Sequence, residues 1–361
     1  MAVAVRTRLI AVLAVAVTVL AVAGVGVVRA ADAAPSLPPI TPDRLLASTA
    51  QALSQPVTIS GDVETFVDLG LPQIPSELGG EGGPIAMVNG TQRFRVWHSP
   101  DGLRIAHVLQ VSERDLVVNH DEAWWWDSSG MKAVRLRFED LAAKAGALPG
   151  ATAWMQGDDA AGAAMAAEAD PITAARAAID AVAPYASVSV EGTTEVAGRA
   201  AYRLVLRPAT DGTLVDSIVL SIDAESRLPL RMEVVSRTTG AAALSAGFTS
   251  VSFDAVDPAV FMFTPPEGAH VTDALEGAMD PSLPAGHEAP SGPAPRMFGS
   301  GFETRVAVAI DGQVPATVDQ LLPYAGPLLS ATIVRSDDGT QWLLLGSVPL
   351  DVLQADAERL P

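Results

Sequence analysis

The sequence predicts an α+β protein whose main body is an antiparallel sheet. Apolar residues recur with period two in run after run, and short Gly, Asp and Ser turn sequences join most of those runs. Convincing helix starts are few, whereas parallel strands would need long helical crossovers. A triple-tryptophan strand, Trp124-Trp125-Trp126, adds that both faces of the sheet accept large apolar groups, because neighbouring strand residues point to opposite sides.

Residues 36–40, Ser-Leu-Pro-Pro-Ile, form an extended leader. Thr41-Pro42-Asp43 then supplies an N-cap, a proline at the first helical position and an acidic first turn. Leu45, Leu46, Thr49 and Leu53 follow at helical spacing, which predicts a helix through Leu53. From Val57 the period changes to two, with Ile59, Val63, Val67 and Leu69 alternating with Ser60, Asp62, Glu64 and Asp68. A Gly/Pro loop at 78–84 precedes strands at 91–97, 103–111, 115–119, 122–126 and 131–138, the last two joined by Asp127-Ser128-Ser129-Gly130. Residues 141–168 are rich in Ala and Gly with little periodicity and read as a partly helical insertion. Asp170-Pro171 opens a second helix carrying Ile172, Ala175, Ile179 and Val182 on one face. Strands resume at 187–191, 200–207, 214–222, 228–236 and 246–253.

Residues 268–296 hold five prolines without a pattern and read as a long loop or linker. Beyond them, strands at 304–310, 328–335 and 341–348, a short helix at 318–322 and a final helix through Glu358 describe a small tail. The resulting division is 1–33, 34–267, a linker at 268–300 and a small C-terminal α/β domain at 301–361.

Composition narrows function. The chain has 361 residues, 23 Lys plus Arg against 42 Asp plus Glu, and a formal charge of -19. Nucleic acid is excluded as a partner, since no basic patch offsets phosphate repulsion. The absence of cysteine excludes disulfides, thiol nucleophiles, Cys-ligated metals and an acylated Cys anchor. Arg6 and Arg8, the apolar stretch 9–28 and the small residues at 30–34 read as a cleaved signal peptide or an uncleaved membrane anchor, and either places the rest outside the cytoplasm.

Catalytic motifs are lacking. No G-x-S-x-G occurs, and Ser129-Gly130-Met131-Lys132 matches S-x-x-K only within an expected hairpin turn. His98, His107, His120, His270 and His287 show no metal-ligand spacing, and Asp337-Asp338-Gly339 reads as a turn. The expectation is a non-enzyme without a cofactor. The aromatic cluster allows two readings: core and rim residues, or the lining of a cavity in a curved sheet covered by helices. Arginines at alternate positions (Arg93, Arg95, Arg135, Arg137, Arg203, Arg207) suit either a solvated outer face or an anionic head group.

Three runs carry a family resemblance: 228–234 (LPLRMEV), 247–253 (GFTSVSF) and 261–269 (FMFTPPEGA). Together with Trp124-Trp125-Trp126-Asp127 and 198–204 (GRAAYRL), they resemble LolA-type lipoprotein carriers and their relatives LppX and RseB. The resemblance covers roughly residues 36–270 and is most specific from 198 to 269. It implies an incomplete antiparallel β-barrel, a strongly curved sheet with helices over its mouth, enclosing an apolar cavity for acyl chains. The implied partner is a lipid or acylated lipoprotein, or, in the RseB layout with its second small domain, an anti-sigma factor or other membrane protein. On that expectation Phe66, Phe94, Trp97, Trp124 and Trp126, the large apolar groups on candidate strands, line the cavity.

Overall fold

The computed structural model describes residues 34–70, 90–140, 176, 179–274, 293–310 and 322–360. The expected N-terminal signal or anchor, the 78–84 loop, the 141–168 insertion and, apart from Leu322, the short helix at 318–322 lie outside the described residues. Of the second helix, Arg176 and residues 179–182 are described and are helical. Among the described residues no helix is long and apolar enough to cross a membrane.

The leader is tied to the sheet by its carbonyls: Thr193 Oγ1 donates to Pro35 O at 2.6 Å and Tyr202 OH donates to Pro38 O at 3.0 Å. Helix α1 (Pro42–Leu53) starts where expected. Pro42 takes the first turn, where its missing N–H costs nothing, although the Thr41 side chain makes no cap bond. Arg176 of the second helix pairs with Asp43 at 3.0 Å.

Eleven strands follow: β1 (Ile59–Val67), β2 (Gly90–Ser99), β3 (Gly102–Val108), β4 (Glu113–Val118), β5 (Glu122–Asp127), β6 (Lys132–Arg137), β7 (Ala186–Val196), β8 (Arg199–Pro208), β9 (Val215–Asp223), β10 (Pro229–Ser236) and β11 (Ala242–Phe248). They form two sequential meanders joined where β1 pairs with β11, and β12 (His270–Asp273) adds to β6 in parallel. The resulting 12-stranded sheet is curved but open, with β12 and β7 at its edges. Strand β11 ends at Phe248 rather than 253, because both Thr249 and Ser250 N–H groups turn onto the Asp62 carbonyl and only Ser252 regains a bridge, to Ser60. Gly61 makes room for that crossing; a Cβ there would stand 2.0 Å from the Ser250 carbonyl oxygen.

One face of the sheet carries α1. Leu45 is fully buried among Tyr202, Leu204, Leu220, Ile222, Met232 and Ala246 of β8 to β11, a burial that contributes about 1.5–3 kcal/mol. Register extends this face across the sheet, since Phe248 opposes Val63, Val63 opposes Phe94 and Phe94 opposes His107.

The opposite face of β3 to β6 is crossed by the chain that leaves β11. A 3-10 turn (Pro258–Phe261) seats Phe261 against Gly102, where a Cβ would lie 2.9 Å from the Phe261 ring. Asn119 Nδ2 donates to the Phe261 carbonyl at 3.2 Å, and β12 then completes this strap.

The expected linker is therefore structured at both ends, by β12 and by β13 (Arg296–Phe298). The second sheet runs β13, β14 (Arg305–Ile310), β17 (Gln341–Gly346), β16 (Ser330–Arg335), β15 (Tyr324–Ala325). Its pairings among the described residues are all antiparallel, with Asp337–Gly339 as the short turn between β16 and β17. Helix α2 (Leu350–Ala357) packs Leu353 on Ala307, Trp342, Leu344 and Val348. Thr213 Oγ1 and Leu214 N donate to Ser347 O, and Ser236 Oγ donates to Pro327 O at 2.7 Å, joining the two sheets.

Candidate functional site

The helix-bearing face of β3 to β6 is laid out in three rows by register. His107, Arg114, Asp127 and Lys132 oppose one another in the first, at the end where the β3–β4 and β5–β6 turns lie. Ile105, Leu116, Trp125 and Val134 form the second, and Leu103, Val118, Ala123 and Leu136 the third. Eight apolar side chains thus make a floor bounded at one end by a charged row. Trp125, at its centre, is 43% exposed, and Leu116, Val118, Val134 and Leu136 are only half-buried. Exposed apolar surface of this extent on an inner sheet face is the usual ground for a ligand.

The five residues expected to line one cavity are divided by the pleat. Phe94 alone lies on the helix-bearing face, buried and stacked on His107 with ring centroids 4.5 Å apart. Trp124 and Trp126 point the other way, at 6% and 7% exposure, beneath the strap residue Phe263 at centroid distances of 5.5 and 5.9 Å. Trp97 shares their face and sits between the guanidinium groups of Arg95 and Arg104, at 5.9 and 5.7 Å. Phe66 is there as well, opposite Thr91 and Ser245. These five therefore do not surround one space. Trp125, Leu116, Val134 and Leu136 are the residues that the sequence reading passed over; their signal was the alternation itself, whose parity needs a known neighbour to be read.

The alternate arginines belong to the strap-bearing face, where all but Arg203 meet a carboxylate among the described residues. Arg93 meets Glu64 at 2.9 Å, Arg95 meets Asp62 at 3.2 Å and Arg207 meets Glu191 at 2.8 Å. Such exposed pairs contribute little to stability.

Electrostatics at the charged row are specific. Burial, and then the nearby positive Arg114, push the His107 imidazole below its usual value. Its Nε2 lies 2.9 Å from Gln92 Oε1, and its Nδ1 is buried without a partner. Burial opposes ionisation of Asp127, but hydrogen bonds from Ser129 and Arg114 outweigh it and hold the carboxyl below the usual range. His107 carries a pH prediction. The unfolded chain takes up a proton at this ring near pH 6.5 while the folded chain resists, so stability present above that value is lost as pH falls. Melting temperature is expected to drop between pH 7 and pH 5, and His107→Phe should flatten that slope; an unchanged slope would show that the ring is not held neutral.

Ser129 donates to Asp127 Oδ1 within the β5–β6 turn, so S-x-x-K is a hairpin sequence. Among the described residues no cluster of His, Asp and Glu is arranged to hold a metal ion.

An open curved sheet with a helix on one face and an apolar floor beside it has the form of a ligand holder. No family model matches the sequence, and no curated protein matches it. Solved structures similar to the chain include Pseudomonas aeruginosa MucB in its complex with MucA, at 16% identity and TM-score 0.44, covering 87% of this chain and 96% of that one. They also include a LolA superfamily protein from Nitrosomonas europaea, at 10% identity and TM-score 0.22, covering 62% and 99% respectively.

Proposed function

We propose that this chain is an extracytoplasmic, non-catalytic binding protein that holds the acyl chains of a lipid or lipoprotein on the helix-bearing face of β3 to β6. The observation that carries this reading is the half-exposed apolar floor around Trp125. Each methylene laid on such a surface contributes up to about 0.8 kcal/mol, so a single chain covering the floor gives useful affinity without any covalent step. The division into a main body at 34–267 and a C-terminal domain at 301–361 belongs to the same proposal, with the tail as an accessory.

The test is native mass spectrometry with lipid extraction on the full chain purified from the exported fraction of its native host. A bound mass that extracts as lipid is the expected result. A clean unliganded mass that persists after incubation with phospholipids and lipopeptides would overturn the reading.

A second reading, a sensor that docks on a membrane protein, is favoured by one observation. The face of the C-terminal sheet turned away from Trp342 and Leu344 carries Val306, Val308, Ile333, Leu343 and Leu345 side by side, with Val308 exposed. Lipid-free protein that retains a specific membrane partner would shift weight to that role.

A further inference from the structure

In the charged row at the end of the apolar floor, Asp127 Oδ1 serves the β5–β6 turn through Ser129 and Gly130, while its Oδ2 is turned to Arg114. Arg114 and Asp127 pair at 3.0 Å with side chains only 20% and 13% exposed, on a face whose next two rows are apolar. Bonds from Ser129 and Arg114 hold the Asp127 carboxyl below the usual carboxylate range in spite of its burial, so the charges of this row are fixed in place beside an apolar surface. Lys132 follows in the same row, opposite Asp127, exposed and in no ion pair among the described residues. The contrast with the other face is direct: there Arg93, Arg95, Arg135 and Arg207 each meet a carboxylate. Among the described residues the row carries Lys132 and Arg114 against one carboxylate, Asp127, in a protein of formal charge -19. A local positive excess placed where an apolar surface ends fits an amphiphile whose head is an anion.

We propose that this row is a head-group subsite: Lys132, supported by Arg114, receives an oxyanion, phosphate or carboxylate, whose acyl chain lies over Trp125 toward Leu136. Asp127 holds Arg114 in the row, and Ser129 in turn anchors Asp127. Alternate residues on a strand are about 6.7 Å apart, so the charged row and the far apolar row are separated by about 13 Å, the length of a medium acyl chain. The inference rests on the proposed acyl-binding role and names the class of ligand: a singly headed anionic amphiphile rather than a neutral or glycosidic one.

The test measures binding of three probes to the full chain by isothermal titration below their micelle concentrations: dodecyl phosphate, dodecanoate and dodecyl maltoside. The anionic probes are expected to bind about tenfold more tightly than the maltoside, the scale of one charged hydrogen bond. That ratio should fall to one or below in Lys132→Glu, persist in Lys132→Arg, and shrink as salt is raised. Dodecyl phosphate alone showing the preference would identify phosphate as the head, and dodecanoate alone would identify carboxylate. Equal binding of all three probes, or a ratio unaffected by Lys132→Glu, would overturn the subsite and leave the apolar floor standing. No binding of any probe would overturn the acyl-binding reading and the subsite with it.

Discussion

Replacing Trp125 by Ser is expected to weaken acyl binding between tenfold and a hundredfold while leaving the fold in place. The ring is the central element of the floor, with Leu116 on one side and Val134 on the other. At 43% exposure it has roughly 100 Å² of apolar surface to give to a ligand, or about 2.5 kcal/mol. Because that surface already faces water, its removal costs the unliganded protein little. Titration with dodecyl maltoside, which does not depend on the charged row, reads the effect directly. Unchanged affinity in a variant with a wild-type melting curve would mean that the acyl chain does not lie on this face.

The second large effect is on stability. Trp124→Ser together with Trp126→Ser should strip the strap from the sheet, because both rings are buried beneath Phe263 in one cluster with Val117 and Ala133. Emptying one such site costs about 3–5 kcal/mol, and the pair together rivals the whole stability of an ordinary domain. Their shared contact with Phe263 makes the two losses less than additive. Circular dichroism should show a melting temperature lowered by more than about 10 °C, or no folded protein at all. A well-folded double variant would show that the strap is held by β12 pairing alone. A cavity-lining role for the same two rings would instead give lost ligand uptake from an intact fold, so one preparation separates the two roles.

Much of the fold was legible because its causes are local. Pro42 after Thr41 starts a helix wherever that segment is placed. Asp127 to Gly130 turns the chain through bonds that Asp127 makes to its own neighbours, Ser129 and Gly130. Alternation at Trp124-Trp125-Trp126 requires two faces that accept an indole, and both exist. The strands at His270–Asp273 and Arg296–Phe298 were not legible, because they are short segments whose pairing partners, β6 and β14, supply the reason for them. The division of the aromatic residues between two faces has a related reason: Trp124, Trp126 and Trp97 lie on the strap-bearing face, and the floor on the other is made mostly of ordinary aliphatic residues around Trp125.

By itself, the sequence determined the period of each segment, the turns between strands, the acidic charge and the absence of cysteine chemistry. Those properties follow from backbone sterics, turn chemistry and composition, which act within a few residues. Only the tertiary structure decided which parity of each strand faces α1 and which lies under the strap. That choice is made by pairings such as Val63 with Phe248 and by the packing of Phe263 on Trp124, between residues more than a hundred positions apart. A strand's alternation is symmetric between its two faces until something is packed against one of them.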